Sequence, residues 1–296
     1  MEKLKVSLEG TGPGNVSLSR ETKQVLENYG IRLNRKLGQN YLIDDFKRKK
    51  ILNFANLTSS DTVLEIGPGI GTLTIPMAHQ AGKVVAIEKD PRIARILEDR
   101  VQEEGLKNVE IIEADALKVD FPFFNKIVSN LPYQISSPVT FKFLDYKFDL
   151  AILMYQKEFA QRMNAPVDSK HYSRLSVMMH FKAQVEILDK VSSQAFIPPP
   201  KVDSAVVKMI PRDEVEVDDF FASVCRAIFQ HRRKKTSKAL RESFHEIGNF
   251  EKEEIKEILM ELDSMVENSL LEERVFKLSP EKILDISTAL KRILRE

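Results

Sequence analysis

The chain has 296 residues, 43% hydrophobic and 30% charged, with a net charge of +1 and a single cysteine. Those proportions suit a folded globular protein of one large or two modest domains, and they exclude an internal disulfide framework and a cysteine-based zinc cluster. No run of about 18 uncharged apolar residues occurs, the histidines lack HxxxH or HxH spacing, and Met1-Glu2-Lys3-Leu4-Lys5 has no apolar signal core. The expectation is a cytoplasmic protein with no membrane span and no metal.

In chain order, residues 1 to about 18 carry Gly10, Gly12, Pro13 and Gly14 and read as a flexible leader. Ser19 can cap a short helix with Val25, Leu26 and Tyr29 on one side and Gly30 as its stop, so 1–30 is taken as leader plus short helix. A basic loop from Arg32 to Leu42 precedes a helix from Asp44-Asp45 to about Ala55. Alternating strand and helix patterns then predict a parallel sheet with helices on its faces. The strands are Thr62–Ile66, Val84–Ile87, Val109–Ile112, Lys126–Val128 and Leu150–Met154. Helices are expected from the glycines after the first strand to Ala81, from Asp90-Pro91 to Gly105, and from Ser136-Ser137-Pro138. Beyond them, Leu175–Phe181 reads as helix and Val185–Leu188 as strand. Phe196–Pro200 reads as an extended linker and Lys201–Met209 as an alternating strand. From about 215 the pattern is wholly helical, with Phe221, Val224, Cys225 and Ile228 on one face and a last helix from Ser279-Pro280. The expected organisation is a 31–212 α/β domain followed by a small all-α domain over 213–296.

Candidate site residues fall at strand ends, where open parallel sheets bind ligands. Gly67-Pro68-Gly69-Ile70-Gly71 follows the first strand, and its glycines admit a close ligand; a plain tight turn is the bland alternative. Thr72 stands where the dinucleotide fingerprint needs glycine, which favours a nucleoside without a pyrophosphate. Glu88, 21 positions beyond Gly67, can accept ribose hydroxyls, and Asp115 can reach an adenine amine. Either carboxylate alone reads equally as a solvated loop residue. Asn130-Leu131-Pro132-Tyr133 closes the fourth strand with an amide oxygen, a rigid turn and an aromatic face, or is simply a turn.

Four motifs, in order, carry a family resemblance. Glu65-Ile66-Gly67-Pro68-Gly69-Ile70-Gly71 resembles the first motif of class I S-adenosylmethionine-dependent methyltransferases, and Asn130-Leu131-Pro132-Tyr133 resembles their amino-methylation motif in the form used by rRNA adenine dimethyltransferases. Lys36-Leu37-Gly38-Gln39-Asn40-Tyr41-Leu42 resembles that family's N-terminal motif, with Tyr41 in place of the usual Phe. Phe196-Ile197-Pro198-Pro199-Pro200-Lys201-Val202-Asp203-Ser204 resembles its proline-rich signature. The resemblance covers roughly residues 31 to 290 and is strongest to the small-subunit enzymes. It implies a Rossmann-like methyltransferase domain and transfer from S-adenosylmethionine to N6 of two adjacent adenines near the 3′ end of small-subunit rRNA. The partner would be an assembling ribosomal particle, and the enzyme a monomer acting in ribosome biogenesis.

By the same resemblance, Asn40 and Leu42 would close over the cofactor, Gly67 would lie beneath it, and Glu88 and Asp115 would take its ribose and adenine. Asn130 would touch both cofactor and target, and Tyr133 and Phe196 would sandwich the target adenine. Chemistry adds a reason: adenine N6 has a delocalised lone pair, and the Asn130 side-chain oxygen and Leu131 carbonyl can hold both of its N–H bonds so that the nitrogen faces the methyl. Arg232, Arg233, Lys234 and Lys235, inside an acid-free stretch from Arg226 to Arg241, suit RNA phosphates, or else form a solvated helix end. Arg32, Arg35, Lys36 and the Lys47–Lys50 run add further positive charge. Rival readings are a large-subunit rRNA methyltransferase, an assembly factor with a vestigial pocket, and a dehydrogenase, the last disfavoured by Thr72.

Overall fold

The computed structural model describes residues 17–31, 40–212, 215, 217–267 and 269–294. The basic residues Arg32, Arg35 and Lys36, and the Lys36–Gln39 half of the N-terminal motif, lie outside these, as does most of the leader. The first helix, α1 (Leu18–Asn28), is capped by Ser17, whose side chain accepts from the Arg20 N–H. Ser19 therefore sits inside the helix, because Ser17 is the serine with extended backbone geometry. Gly30, at φ +61°, ends it as expected.

After β1 (Tyr41–Leu42) and α2 (Asp45–Ala55), the chain lays down β2 (Thr62–Ile66), α3 (Thr74–Ala78), β3 (Lys83–Glu88), α4 (Pro91–Glu103), β4 (Val109–Glu113) and β5 (Lys126–Asn130). It continues through α5 (Ser136–Phe143), β6 (Leu150–Gln156), α6 (Lys157–Met163), α7 (Arg174–Lys182), β7 (Ala183–Val191), β8 (Phe196–Ile197) and β9 (Ser204–Pro211). Among the described residues the main sheet has seven strands in the order β4-β3-β2-β5-β6-β9-β7, with β9 antiparallel to both neighbours and the first five strands parallel. The chain runs outward from β2 to β4, then returns to place β5 on the other side of β2. That reversal opens a crevice at the carboxyl ends of the strands.

Two expectations change in detail. The helix after β2 begins only at Thr74, because Gly71 stands at φ +89° and holds the chain out of helix until there, and it ends at Ala78 rather than at the predicted Ala81. The alternation expected in β9 gives way to four consecutive buried residues, Ser204 to Val207, since this strand lies between β6 and β7. Helix α6 has no counterpart among the sequence-predicted elements.

Apolar residues cover both sheet faces. One core gathers Leu64, Ile127, Val139 and Phe143, and the other Ile51, Val63, Val128 and Ile152. The helices α8 (Asp219–Gln230), α9 (Thr236–Ser243), α10 (Lys252–Met265) and α11 (Pro280–Leu294) surround a further core that holds Phe221, Val224, Cys225 and Ile228. Helix α7 packs into two of these cores, with Leu175 and Met179 under the sheet and Val177, Met178 and Phe181 among the C-terminal helices. Among the described residues no helix is long and apolar enough to cross a membrane.

The ends of β2 and β5 are fastened by the Ser129 hydroxyl, which donates to the Ile66 carbonyl at 2.6 Å and is fully buried. Ser129→Ala leaves that buried carbonyl without its partner, and is expected to cost about 1–3 kcal/mol. Urea unfolding should show a lower midpoint with an unchanged m-value.

Candidate active site

A cavity of about 540 Å³ occupies the crevice, lined by the ends of β2, β3, β4 and β5 and covered by Asn40–Leu42. Gly67 and Gly69 floor it with left-handed backbones at φ +68° and +57°. A Cβ on Gly67 would stand 2.9 Å from Pro132 Cγ, and one on Gly69 3.1 Å from the Tyr41 ring, so these turns touch the amino-methylation and N-terminal motifs directly. Glu88 ends β3 and is 9% exposed. Its Oε1 accepts from the Asp90 N–H at 2.9 Å. Burial raises its carboxyl above the usual range, against the pull of backbone N–H groups of Asp90, Gly69 and Lys89. Asp115 follows β4 on the cavity wall, and is held low by Lys89 (2.9 Å) and by the Leu117 N–H.

Asn130 ends β5. Its Nδ2 donates to the Asn40 carbonyl at 3.0 Å, which ties the wall to the cover and leaves Oδ1 with no donor among the described residues. Leu131 is 1% exposed and anchors the turn, while Pro132 carries φ −59° and ψ 123° into the short helical turn Tyr133–Ile135. The Tyr133 ring lines the cavity and its hydroxyl is fixed 2.6 Å from Ser204 Oγ. Leu42 is buried at 1% and lines the cavity from above. The structure thus brings Asn40, Leu42, Gly67, Glu88, Asp115, Asn130, Leu131, Pro132 and Tyr133 around one cavity.

Phe196 does not join them. Strand β8 pairs antiparallel with β1, with Leu42 opposite Phe196, and the Phe196 ring lies in the core at 2% exposure. The expected sandwich of a base between Tyr133 and Phe196 is corrected accordingly: the ring offers no open face, and its place is behind the cover. The proline-rich signature holds the site from outside, through Phe196 under Leu42 and Ser204 against Tyr133.

The sequence model for "Ribosomal RNA adenine dimethylase" matches residues 30–275. The chain belongs to the ribosomal RNA adenine dimethylase family. It is an rRNA adenine N6,N6-dimethyltransferase with the class I methyltransferase fold. Two archaeal relatives, each named a probable ribosomal RNA small subunit methyltransferase A, are similar over nearly their whole lengths. That of Methanothermobacter thermautotrophicus is 57% identical over 91% of this chain and 95% of its own. That of Thermococcus onnurineus is 50% identical over 90% and 96%. Among solved structures, a dimethyladenosine transferase from Plasmodium falciparum superposes with a TM-score of 0.72 at 33% identity, over 83% of this chain and 95% of that one. The 23S rRNA methyltransferase ErmE gives 0.60 at 27%, over 85% and 100%.

Several residues of this dimethylase site went unassigned by sequence reasoning. Glu65 lies on the cavity floor, 2% exposed, with the Thr74 hydroxyl donating to it at 2.6 Å. Burial pushes its carboxyl up to about 8, with Thr74 opposing and the charge of Glu88 adding. A carboxylate inside an otherwise apolar strand was the available signal. The Tyr41 hydroxyl is buried beside the cavity with no partner among the described residues, and Ser204 closed the proline-rich signature without a role of its own assigned.

The basic run is partly engaged within the protein. Arg232 donates to the Ser169 and Lys170 carbonyls at 3.0 and 2.8 Å, Lys234 pairs with Glu242, and Lys235 pairs with Glu272 at 2.5 Å. Arg233 is exposed, with no carboxylate partner among the described residues. In the earlier run, Lys47 and Lys50 share Asp189, and Arg48 and Lys49 share Asp45.

Glu65 gives a test of the floor. A carboxyl raised in the folded state stabilises fully below its unfolded pKa of about 4.3, and that contribution declines by about 1.4 kcal/mol per pH unit above it. The decline ends as pH passes the folded value of about 8. Glu65→Gln should remove this dependence. Urea midpoints between about pH 5 and pH 8 should fall in the wild type and stay flatter in the variant.

Proposed function

We propose that this dimethylase transfers methyl groups from S-adenosylmethionine to N6 of two adjacent adenines near the 3′ end of small-subunit rRNA. The reaction would take place on an assembling particle in the cytoplasm, with the enzyme as a monomer, during ribosome biogenesis. The observation that carries the reading is Asn130: its amide nitrogen is committed to the Asn40 carbonyl, so its oxygen is oriented as an acceptor on the cavity wall. The small-subunit assignment is supported by relatives of that name at 57% and 50% identity, against 27% for the large-subunit enzyme.

The donor set fits the cofactor. Glu88 offers carboxylate oxygens where a ribose diol needs acceptors, and Asp115 offers one for an adenine amine. Gly67 and Gly69 keep the floor low enough for close approach, and Asn40 and Leu42 cover it. Bound there, S-adenosylmethionine supplies an electrophilic methyl on a sulfonium. Asn130 Oδ1 and the Leu131 carbonyl accept the two N6–H bonds, so the nitrogen is held pyramidal and its lone pair is directed into the cavity. Tyr133, fixed by Ser204, stacks on the extruded base. No histidine or cysteine is among the described residues lining the cavity, which suits a reaction governed by positioning. Once one N6 proton has been lost to solvent after the first transfer, the nitrogen keeps one N–H and its lone pair, so a second round can follow with that N–H on one of the same acceptors.

Purified protein with cofactor and immature small-subunit particles should yield dimethyladenosine by nucleoside mass spectrometry. Cofactor binding without methylation of small-subunit particles would overturn the assignment, and activity confined to large-subunit RNA would favour the rival substrate. Asn130→Ala should lower kcat by about 100-fold or more, the usual scale for removing one positioned polar group. Tyr133→Ala should raise KM for RNA by roughly 5- to 150-fold, the equivalent of about 1–3 kcal/mol of stacking, with a smaller change in cofactor affinity by calorimetry. Equal losses in both would count against stacking.

A further inference from the structure

On the reading that the cavity takes S-adenosylmethionine, we propose that Arg100 is a positioning residue for cofactor binding. Its guanidinium, held from behind by Glu21 of α1, braces the turn that floors the cavity. Arg100 lies in the last turn of α4 and does not line the cavity, and neither does Ile70, whose carbonyl it meets. Residues on either side of Ile70 do: Gly67, Pro68 and Gly69 before it, Thr72 and Leu73 after it. The orientation of the Ile70 peptide therefore sets the shape of the floor.

That peptide is held by one side chain. Arg100 Nη1 donates to the Ile70 carbonyl at 2.5 Å, and no backbone N–H among the described residues reaches the same oxygen. Ile70 is 1% exposed, so water is not at hand to replace the guanidinium. The other arm, Nη2, pairs with the Glu21 carboxylate, the one ion pair of Arg100 among the described residues. The Arg100 side chain is only 13% exposed, and a charge so placed needs both acceptors. A planar fork serves two acceptors in fixed directions, which a lysine ammonium does not.

Helix α1 is tied to the same turn by packing as well. Its Leu18, Thr22 and Leu26, spaced by four, form a buried stripe. Leu26 joins one cluster with Ile70, with Ile93 and Ile96 of α4, and with Tyr41 of the cover, whose ring lies against Gly69. The Tyr29 hydroxyl adds a bond to Asp99 of α4 at 3.2 Å. Helix α1 ends before residue 30, where the family match begins, so the Glu21 half of the brace lies outside the matched region. Loss of either arm frees the Ile70 peptide to turn. A floor that samples several shapes binds its ligand more weakly, in proportion to the fraction of time it is competent.

The test compares wild type with Arg100→Ala, Arg100→Lys and Glu21→Ala. The control is Asn108→Ala, which removes a donor to the Ala78 and Ala81 carbonyls at the far end of α3. Amide hydrogen exchange over residues 66–74 is read in the cofactor-free protein, and dissociation constants for S-adenosylmethionine by calorimetry. KM is separated from kcat on small-subunit particles. Arg100→Ala should speed exchange in that segment and raise the dissociation constant and the KM for cofactor by about 2- to 30-fold, with kcat and the KM for RNA retained. Arg100→Lys and Glu21→Ala should fall between, and they serve in its place if Arg100→Ala does not fold. Asn108→Ala should lower the urea midpoint and leave cofactor affinity unchanged. Wild-type exchange and cofactor affinity in the Arg100 and Glu21 variants overturn the brace, as does an equal loss of affinity in Asn108→Ala. A wild type that binds no S-adenosylmethionine overturns the cofactor reading, and this role with it.

Discussion

The site depends on how briefly β2 and β5 run together. Their ladder pairs only Val63 with Lys126 and Leu64 with Ile127, whereas β2 and β3 pair along all five positions from Thr62 to Ile66. Past that point the two strands part, and the crevice between them holds the ligand cavity. Parting strands would leave exposed or orphaned backbone groups, and one buried hydroxyl, Ser129, takes the Ile66 carbonyl that the ladder leaves behind. The floor glycines, the Asn130 amide and the Pro132 ring all take their positions from that divergence.

The carboxyls around the cavity illustrate how one functional group is shifted in different directions by its surroundings. Glu65, beneath the floor, is desolvated and protonated near neutrality, and so adds no charge to the cavity. Glu88 is raised but receives backbone donors. Asp115, at the rim with Lys89, is held low and ionised. An acceptor-rich pocket with only part of its possible negative charge is compatible with a cationic cofactor and with approaching RNA, which a fully ionised trio would repel.

Much of this was legible in the sequence because the signals are local. Glycines and acids at strand ends, Asp90-Pro91 before a helix, and the apolar strands all act within a few residues of themselves. The misreadings come from contacts made at a distance. Phe196 looked like a stacking ring, but its direction is set by pairing with Leu42, across more than half of the catalytic part. The basic run does face solvent, and what local sequence did not show is that exposed Lys235 meets Glu272 from a turn far along the chain. Ser17, rather than Ser19, starts α1 because backbone geometry decides between two serines of equal propensity.

Helix α7 has a thermodynamic consequence. With Leu175 and Met179 facing one core and Val177, Met178 and Phe181 another, it cannot leave either without uncovering both. Catalytic and helical parts are therefore bound into one cooperative folding unit, in which a cavity opened among the C-terminal helices weakens the support of the sheet as well. A chain cut after β9 would carry the exposed flank of α7 into water and lose solubility before it lost its motifs.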